Sequence, residues 1–214
     1  MQQLDDIIEG IRQSLEARTA ARDRALSQTR TLTRHCAHAI RAIHRDEHEL
    51  AARHLDEARQ LAEGLRTNLA EYPDLYYAGY TQDALKEFAE ASLVGALLKN
   101  GALPTPQELG VEDATYLKGL AEAAGELRRR TLDILRHGHS EEAERLLDNM
   151  DNIYAVLVTM DYPDAITGGL RRLTDIVRGV TERTRGDMTI SLRQEQLEAS
   201  LRRLEAKLIQ AEEG

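Results

Sequence analysis

Two pairs of glutamates have the residue type and the spacing to bind a metal ion. Glu87 and Glu90 are three residues apart. Glu122 and Glu126 are four residues apart. On an α-helix these spacings separate the members of a pair by about 60° and about 40°, so each pair lies on one face. Four carboxylates that met would repel each other unless a cation lay among them. Oxygen ligands suit Mg²⁺ or Mn²⁺, which position water and stabilise charge during phosphodiester cleavage.

The residues around these glutamates favour such a meeting. Small side chains flank both pairs and would let two helix backbones approach closely. They are Ala89, Ala91, Ala121, Ala123, Ala124 and Gly125. In the alternative interpretation all four glutamates are exposed and form ion pairs on their own helices, such as Glu126 with Arg130. The chain has 37 acidic residues, so spacing alone does not favour the metal site.

Other metal and phosphate sites have less support. His35 with His38, and His44 with His48, have helix spacings that suit a metal, but the sequence offers neither pair a cysteine or a third ligand. Solvated or RNA-facing histidines are the simpler interpretation. No histidine has a glutamate three residues before it, which excludes the Glu-x-x-His motif of di-iron bundles. There is also no GxxxxGK phosphate loop.

The charge is unevenly distributed. The net charge of −9 is unfavourable for binding nucleic acid, because phosphate contacts come from lysine and arginine. Between residues 12 and 45, however, eight arginines occur with only two acids, Glu16 and Asp23, a local balance of +6. The arginines are Arg12, Arg18, Arg22, Arg24, Arg30, Arg34, Arg41 and Arg45. This segment is either a solvated helix face or a surface for phosphates.

Cysteine content and hydropathy indicate the compartment. The single cysteine, Cys36, can form neither an internal disulfide nor a thiolate zinc site, which favours a reducing environment. No run approaches the roughly 18 apolar residues of a membrane span, and the acidic start MQQLDDIIEG is unlike a signal peptide. We therefore expect a cytoplasmic protein with no membrane partner.

The positions of proline and glycine predict long helices. The four prolines, at positions 73, 104, 106 and 163, divide the chain into long stretches without helix breakers. We predict seven helices in one all-α bundle that forms a single domain over residues 1–214. They cover about residues 4–45, 46–69, 81–99, 113–137, 140–160, 163–185 and 191 to the end. Thr105 and Glu108 predict a capping box before a short turn that ends at Gly110.

Several of these segments resemble a known family. Residues 116–129, YLKGLAEAAGELRR, resemble the YLxGLADxxGELxR signature of the translin/TRAX family. Residues 87–91, EFAEA, resemble the E-x-x-E-A element of its catalytic TRAX branch. The similarity extends from about residue 20 to 195, and the compact chain resembles the archaeal TRAX-like proteins, the C3PO-like ribonucleases. Further matches are Arg30, Arg34 and His44-Arg45 in the first helix, and residues 170–173 and 187–189 towards the end.

The resemblance implies a translin-type fold and a Mg²⁺-dependent endoribonuclease. TRAX-type subunits cleave RNA with carboxylates at four places, and these places correspond to Glu87, Glu90, Glu122 and Glu126. These residues are therefore the implied catalytic and metal-binding set, with Mg²⁺, or Mn²⁺, as the cofactor. Glu122 stands where the eukaryotic pattern commonly has aspartate, so the distance to the metal would differ by one methylene group.

The resemblance also implies an assembly and a substrate. Single-stranded or short processed RNA would be enclosed by a homo-oligomeric shell, an octamer, whose inner surface carries the first helix. Arg30, Arg34, Arg41 and Arg45 would hold the phosphates. Translin-type relatives mainly bind nucleic acid, so the alternative is a non-catalytic oligomer that binds RNA or single-stranded DNA. A third interpretation is a scaffolding helical protein that binds no nucleic acid.

Overall fold

A computed structural model describes residues 1–138 and 140–212. In these residues the regular secondary structure is entirely helical, as predicted. Contacts group the chain into two compact units, residues 1–120 and the residues from 121 onwards, and the division lies inside helix α6 (Asp113–Leu135). The single domain over residues 1–214 remains a prediction. Every described helix is either too short or too polar to span a lipid bilayer.

The first unit is built around a long helix that packs against two others. α1 contacts both α2 and α4, and its residues Leu32, Cys36 and Ile43 are buried. The unit also contains the first eight residues of α6. Its other helices are α1 (Gln2–His44), α2 (His48–Asn68), α3 (Pro73–Tyr76), α4 (Gly79–Leu98) and α5 (Pro106–Leu109).

Local sequence signals set several helix ends in this unit. The capping box is present: the Glu108 amide donates to Thr105 Oγ1 at 3.2 Å, and the Thr105 amide donates to Glu108 Oε2 at 2.7 Å. Gly110 ends α5 with a φ of +65°, a left-handed conformation that glycine adopts readily. The expected start of the second helix at Asp46 was wrong, because Asp46 has a φ of +58° and α2 begins at His48.

The second unit contains the rest of α6 together with α7 (Glu141–Leu157), α8 (Asp164–Thr167) and α9 (Leu170–Glu212). α7 packs against α9, where Ala143, Leu147 and Met188 form a small core. α7 begins next to residue 140, where its start was predicted, and Ser140 caps it by accepting a hydrogen bond from the Ala143 amide at 3.3 Å.

From residue 170 onwards the sixth and seventh predicted helices form one helix, α9, so the predicted break between residues 185 and 191 was wrong. The predicted start of the sixth helix at residue 163 was also wrong, because Gly168 and Gly169 have positive φ angles and separate the short helix α8 from α9. Gly186 lies inside α9, where a glycine costs only about 1 kcal/mol relative to alanine. The chain is held there on both sides of that glycine, by ion pairs of Arg185 with Asp151 and of Asp187 with Arg128. The described residues thus form six long helices and three of four residues each, instead of seven long ones.

Candidate metal centre and arginine face

Helix α4 places Glu87 and Glu90 beside Cys36 of α1. Glu90 is only 8% exposed and is the one carboxylate among the buried side chains of the described residues. Burying a carboxylate is costly unless neighbouring groups compensate its charge. Burial, and then the negative charges of Glu87 and Glu90, raise the pKa of the Cys36 thiol. Cys36 therefore stays protonated, in agreement with the prediction that it is not a thiolate metal ligand.

A glycine brings helix α6 into contact with α4 next to these glutamates. A Cβ atom at Gly119 would lie 2.9 Å from the Ala89 Cβ and 2.9 Å from the Glu90 backbone nitrogen, both too close for any side chain. Small residues were predicted to let the two helices approach closely. The predicted set included Gly125, but the glycine at the contact between α6 and α4 is Gly119. Gly125 is exposed, and a Cβ atom added there would have no neighbour within 4 Å. Gly119 lies within residues 116–129, the segment that resembles the family signature. The sequence did not show that Gly119 contacts α4.

Three of the four predicted glutamates come together. Glu122 follows Gly119 by one helical turn, and carboxylate oxygens of Glu87, Glu90 and Glu122 all lie within 4.8 Å of one another. We call these three residues the acidic group. Octahedral Mg²⁺ with bonds of about 2.1 Å has oxygen ligands roughly 3 to 4 Å apart, so a small closure of these side chains would bring them to ligating distance. The acidic group could therefore hold a divalent metal ion of the Mg²⁺ or Mn²⁺ type.

Basic residues lie beside these carboxylates. Lys86 Nζ is 3.1 Å from Glu87 Oε1, and both side chains are largely buried, so this ammonium offsets part of the negative charge. Glu126, the fourth predicted residue, is one turn after Glu122 on α6 and is not a member of the acidic group. Its Oε2 atom lies 3.5 Å from Arg129 Nη1. The arginine predicted to pair with Glu126, Arg130, has its Nε atom 3.7 Å from Glu142 Oε1.

A cavity of about 370 Å³ connects Glu87 with one of the predicted RNA-binding residues, Arg30. Tyr80 and Asp83 of α4 also line it. The Tyr80 hydroxyl is buried and has no hydrogen-bond partner in the described part of the chain. A buried hydroxyl without a protein partner is unusual. Tyr80 was not identified from the sequence, because no spacing rule relates it to the glutamates.

The four predicted RNA-binding arginines lie on one face at α1, three of them within the helix and Arg45 directly after its last residue. At 100° per residue they fall within an arc of about 60°, and all four are exposed. Their arc lies opposite the buried residues Leu32 and Ile43. In residues 1–138 and 140–212, none of the four guanidinium groups takes part in an ion pair. The arginine face, as we call it, consists of Arg30, Arg34, Arg41 and Arg45.

Histidines from two helices meet beside the arginine face. His54 of α2 approaches His35, with the two Nδ1 atoms 3.3 Å apart, and stacks on His38 with ring centroids 5.2 Å apart. His54 could not be predicted as a neighbour from the sequence, because it comes from another helix. Partial burial, and then the charges of His35 and His38, lower the pKa of His54. The acidic group is nevertheless the only set of metal-ligand side chains with suitable spacing among the described residues.

Comparison with known proteins identifies relatives over most of the chain. No protein-family profile matches it. The chain is 30% identical over 199 residues to an uncharacterized protein of Methanocaldococcus jannaschii, covering 92% of this chain and 87% of that protein. Its structure is similar to that of AfC3PO, with a TM-score of 0.81 and 33% identity over 87% of this chain and 97% of that one.

Two further solved structures have the same fold. A complex of AfC3PO with duplex RNA gives a TM-score of 0.81 and 34% identity over 87% of this chain and 97% of that one. The fold of apo-NeC3PO matches with a TM-score of 0.79 at 21% identity, over 86% of this chain and 96% of that one. These matches confirm the predicted all-helical fold of the translin type.

Proposed function

Because this chain belongs to the translin/TRAX family of C3PO-type proteins, we propose that it is an RNA-binding, Mg²⁺-dependent endoribonuclease. The acidic group is the observation that carries this proposal. Three carboxylates this close are stable in their ionised form only with a cation nearby, and a divalent ion bound by oxygen ligands is suited to phosphodiester hydrolysis.

The arginine face supports the RNA-binding part of the proposal. Four exposed guanidinium groups without ion pairs can each contact a phosphate without first breaking a contact within the protein. AfC3PO, which has a similar fold and sequence, has been solved in complex with duplex RNA. Single-stranded or short processed RNA is the proposed substrate, and single-stranded DNA is a further candidate ligand.

The cavity between α1 and α4 suggests how a phosphate would be held next to the carboxylates. Arg30 and Tyr80 line this cavity together with Glu87, and both offer hydrogen-bond donors. We propose that Arg30 and Tyr80 hold the phosphate beside the acidic group. Glu87, Glu90 and Glu122 would bind Mg²⁺, or Mn²⁺, which supplies an activated water and stabilises developing charge. Glu126, one turn from Glu122, would orient the attacking water.

We further propose that the protein acts as a homo-oligomer in the cytoplasm. The family resemblance implies an octameric shell with α1 on its inner surface, and such a shell would bring several arginine faces together around one RNA. Several copies of a modest phosphate-binding surface bind much more strongly than one. The single, buried thiol is consistent with a reducing compartment.

A cleavage assay with labelled single-stranded RNA tests the proposal. The wild type should cut in Mg²⁺ and stop cutting in EDTA. The double variant Glu87→Gln/Glu90→Gln should cut about a hundredfold more slowly or not at all, because neutral amides bind Mg²⁺ weakly. The matched control is Glu63→Gln/Glu71→Gln, which removes the same charge from two exposed positions in the same unit and should cut normally. Wild-type rates in the Glu87/Glu90 variant would refute the proposed site.

A non-catalytic RNA-binding or single-stranded-DNA-binding oligomer is the second candidate. It is favoured by one observation: the four exposed guanidinium groups of the arginine face make no ion pair in the described residues, and they can bind phosphates whether or not the acidic group holds a metal ion. In that case RNA would bind in EDTA and to the Glu87/Glu90 variant with unchanged, salt-sensitive affinity, and no cleavage would occur in Mg²⁺ or Mn²⁺. The same two assays therefore distinguish an enzyme from a binder.

A further inference from the structure

Three histidines from two helices form a cluster where α1 packs against α2. His35 and His38 lie three residues apart on α1, and the ring of His54 on α2 contacts both of them. The His54 ring meets His35 edge-on, with ring centroids 5.4 Å apart, and stacks on His38 at 5.2 Å. The sequence offered His35 and His38 no third metal ligand, and the structure supplies one in His54. We call these three residues the histidine cluster.

Two nitrogens of the histidine cluster are separated by the distance that a tetrahedral metal ion requires. The Nδ1 atoms of His35 and His54 are 3.3 Å apart. Zinc–nitrogen bonds of about 2.0 to 2.1 Å at the tetrahedral angle place two ligand nitrogens roughly 3.3 to 3.4 Å apart. Both rings would carry their proton on Nε2 and offer the Nδ1 lone pair to the metal. A small rotation of the two rings would direct both lone pairs at one ion between the helices.

The third ligand of the histidine cluster lies close to the first two. Among the described residues, only the acidic group already has three ligand atoms within 4.8 Å of one another. In the histidine cluster two ligand atoms are in place, and the His38 ring lies against His54. The His38 side chain is exposed, so it can rotate towards the same ion without disturbing the core. Water would complete a four-coordinate site that is open to solvent.

The ligand type separates the histidine cluster from the acidic group. Imidazole nitrogens suit zinc, cobalt, nickel and copper ions, whereas carboxylate oxygens suit Mg²⁺. The charges nearby have both signs: Glu57, one helical turn after His54, favours a cation, whereas Arg34 and Arg53 disfavour one. All three charged side chains are exposed, so water and salt screen their effect. The nitrogen ligands therefore decide which ion this cluster takes.

We infer that His35, His38 and His54 bind a transition metal ion of the zinc type, which joins α1 to α2. His35 and His54 are 19 residues apart and lie on opposite sides of the turn between these helices. A metal bound by both would hold the two helices together and stabilise the folded chain, in which alone the ligands meet. The site shares no residue with the acidic group. The inference holds whether the protein cleaves RNA or only binds it.

Titration of the full-length protein with Co²⁺ at pH 7.5 tests the inference. Co²⁺ replaces zinc in tetrahedral nitrogen sites and then absorbs visible light strongly, whereas Co²⁺ among octahedral oxygen ligands absorbs weakly. The wild type should give the strong absorption, and Zn²⁺ should abolish it by displacing Co²⁺. His35→Asn and His54→Asn should each weaken Co²⁺ binding at least about tenfold, a loss that disturbing even an outer-shell partner can cause. The matched control is His48→Asn, which removes an exposed imidazole from the first turn of α2 and should bind normally.

Two further variants locate the bound ion directly. His54→Cys keeps a metal ligand at position 54, so it should retain Co²⁺ and add the near-ultraviolet absorption of a thiolate bound to cobalt. Glu87→Gln/Glu90→Gln should leave the visible absorption unchanged, because it alters only the acidic group. Absence of the strong visible absorption in the wild type, or equal Co²⁺ affinity in His54→Asn and the wild type, would overturn the inference. So would a His54→Cys spectrum without the thiolate absorption, or loss of the visible absorption in the Glu87/Glu90 variant.

Discussion

The two halves of helix α1 both carry arginines, but only the second half presents them without ion pairs. In residues 2–23, Arg12 pairs with Glu9, Arg18 with Asp74 and Arg22 with Asp23. Every residue from 2 to 20 is exposed, so no packing restricts that part of the helix. From residue 24 onwards one face is buried against α2 and α4, and the arginine face points the other way. A basic segment therefore becomes a candidate binding surface only where packing orients it and acids are absent.

The largest contrast between the two halves should be in stability. Leu32→Ala removes a fully buried side chain and should lower the free energy of unfolding by about 2 to 5 kcal/mol. Leu15→Ala makes the same chemical change on the exposed half and should cost no more than about 0.5 kcal/mol. Urea denaturation monitored by circular dichroism measures both. Equal losses would mean that the first half is also packed, for example in an oligomer.

The second contrast should be in RNA affinity. Glutamine at all four positions of the arginine face should raise the dissociation constant for a short RNA by roughly 30- to 100-fold at low salt, because four phosphate contacts are lost. It should also flatten the dependence of affinity on salt. The comparison variant replaces Arg12, Arg18 and Arg22 with glutamine and should change affinity by less than about threefold, because those side chains already pair with acids. Filter binding at several salt concentrations distinguishes the two, and equal weakening would contradict the assignment.

The smallest expected effect concerns the pH dependence of stability. It should come from the histidines that lie beside the second half of α1. The pKa of His54 is lowered in the folded protein, chiefly by burial, so below a pH of about 6.5 the unfolded chain binds more protons than the folded one. The free energy of unfolding should therefore fall as the pH falls through that value. Thermal unfolding at pH 7.5 and 5.5 should show a smaller decrease in Tm for His54→Asn than for the wild type. The exposed His137→Asn is the control, and an identical decrease in all three would exclude His54 as a source.

Helix boundaries were predictable where a local interaction sets them. The capping box of Thr105 and the start of α7 next to Ser140 depend on residues within three positions of each other, and both were found where they were predicted. The Asp46 conformation and the continuity of α9 through Gly186 were not predicted. At Gly186 the unfavourable helix propensity of glycine is only about 1 kcal/mol relative to alanine, and the sequence does not show the ion pairs that Arg185 and Asp187 make with other helices.

The site was predictable in its residue types but not in its contacts. Spacing and the family resemblance predicted Glu87, Glu90 and Glu122 as metal ligands, because ligand chemistry limits which side chains can serve. The three carboxylates lie close together, and their role in binding a metal stays a prediction. Spacing could not identify Tyr80 or His54, which reach the cavity and the histidine cluster only after α4 and α2 have packed on α1. Periodicity along one helix carries no information about which residue of another helix will lie opposite.

The contact at Gly119 has a consequence for how this family can change over evolutionary time. Because the α6 backbone touches α4 there, the main chain, and not the side chains, fixes how far apart the carboxylate-bearing positions stand. A lineage that replaced Gly119 with a larger residue would push α6 outward and would need longer acidic side chains to reach the same point. Residues 119 and 122 should therefore vary together among descendants of this chain.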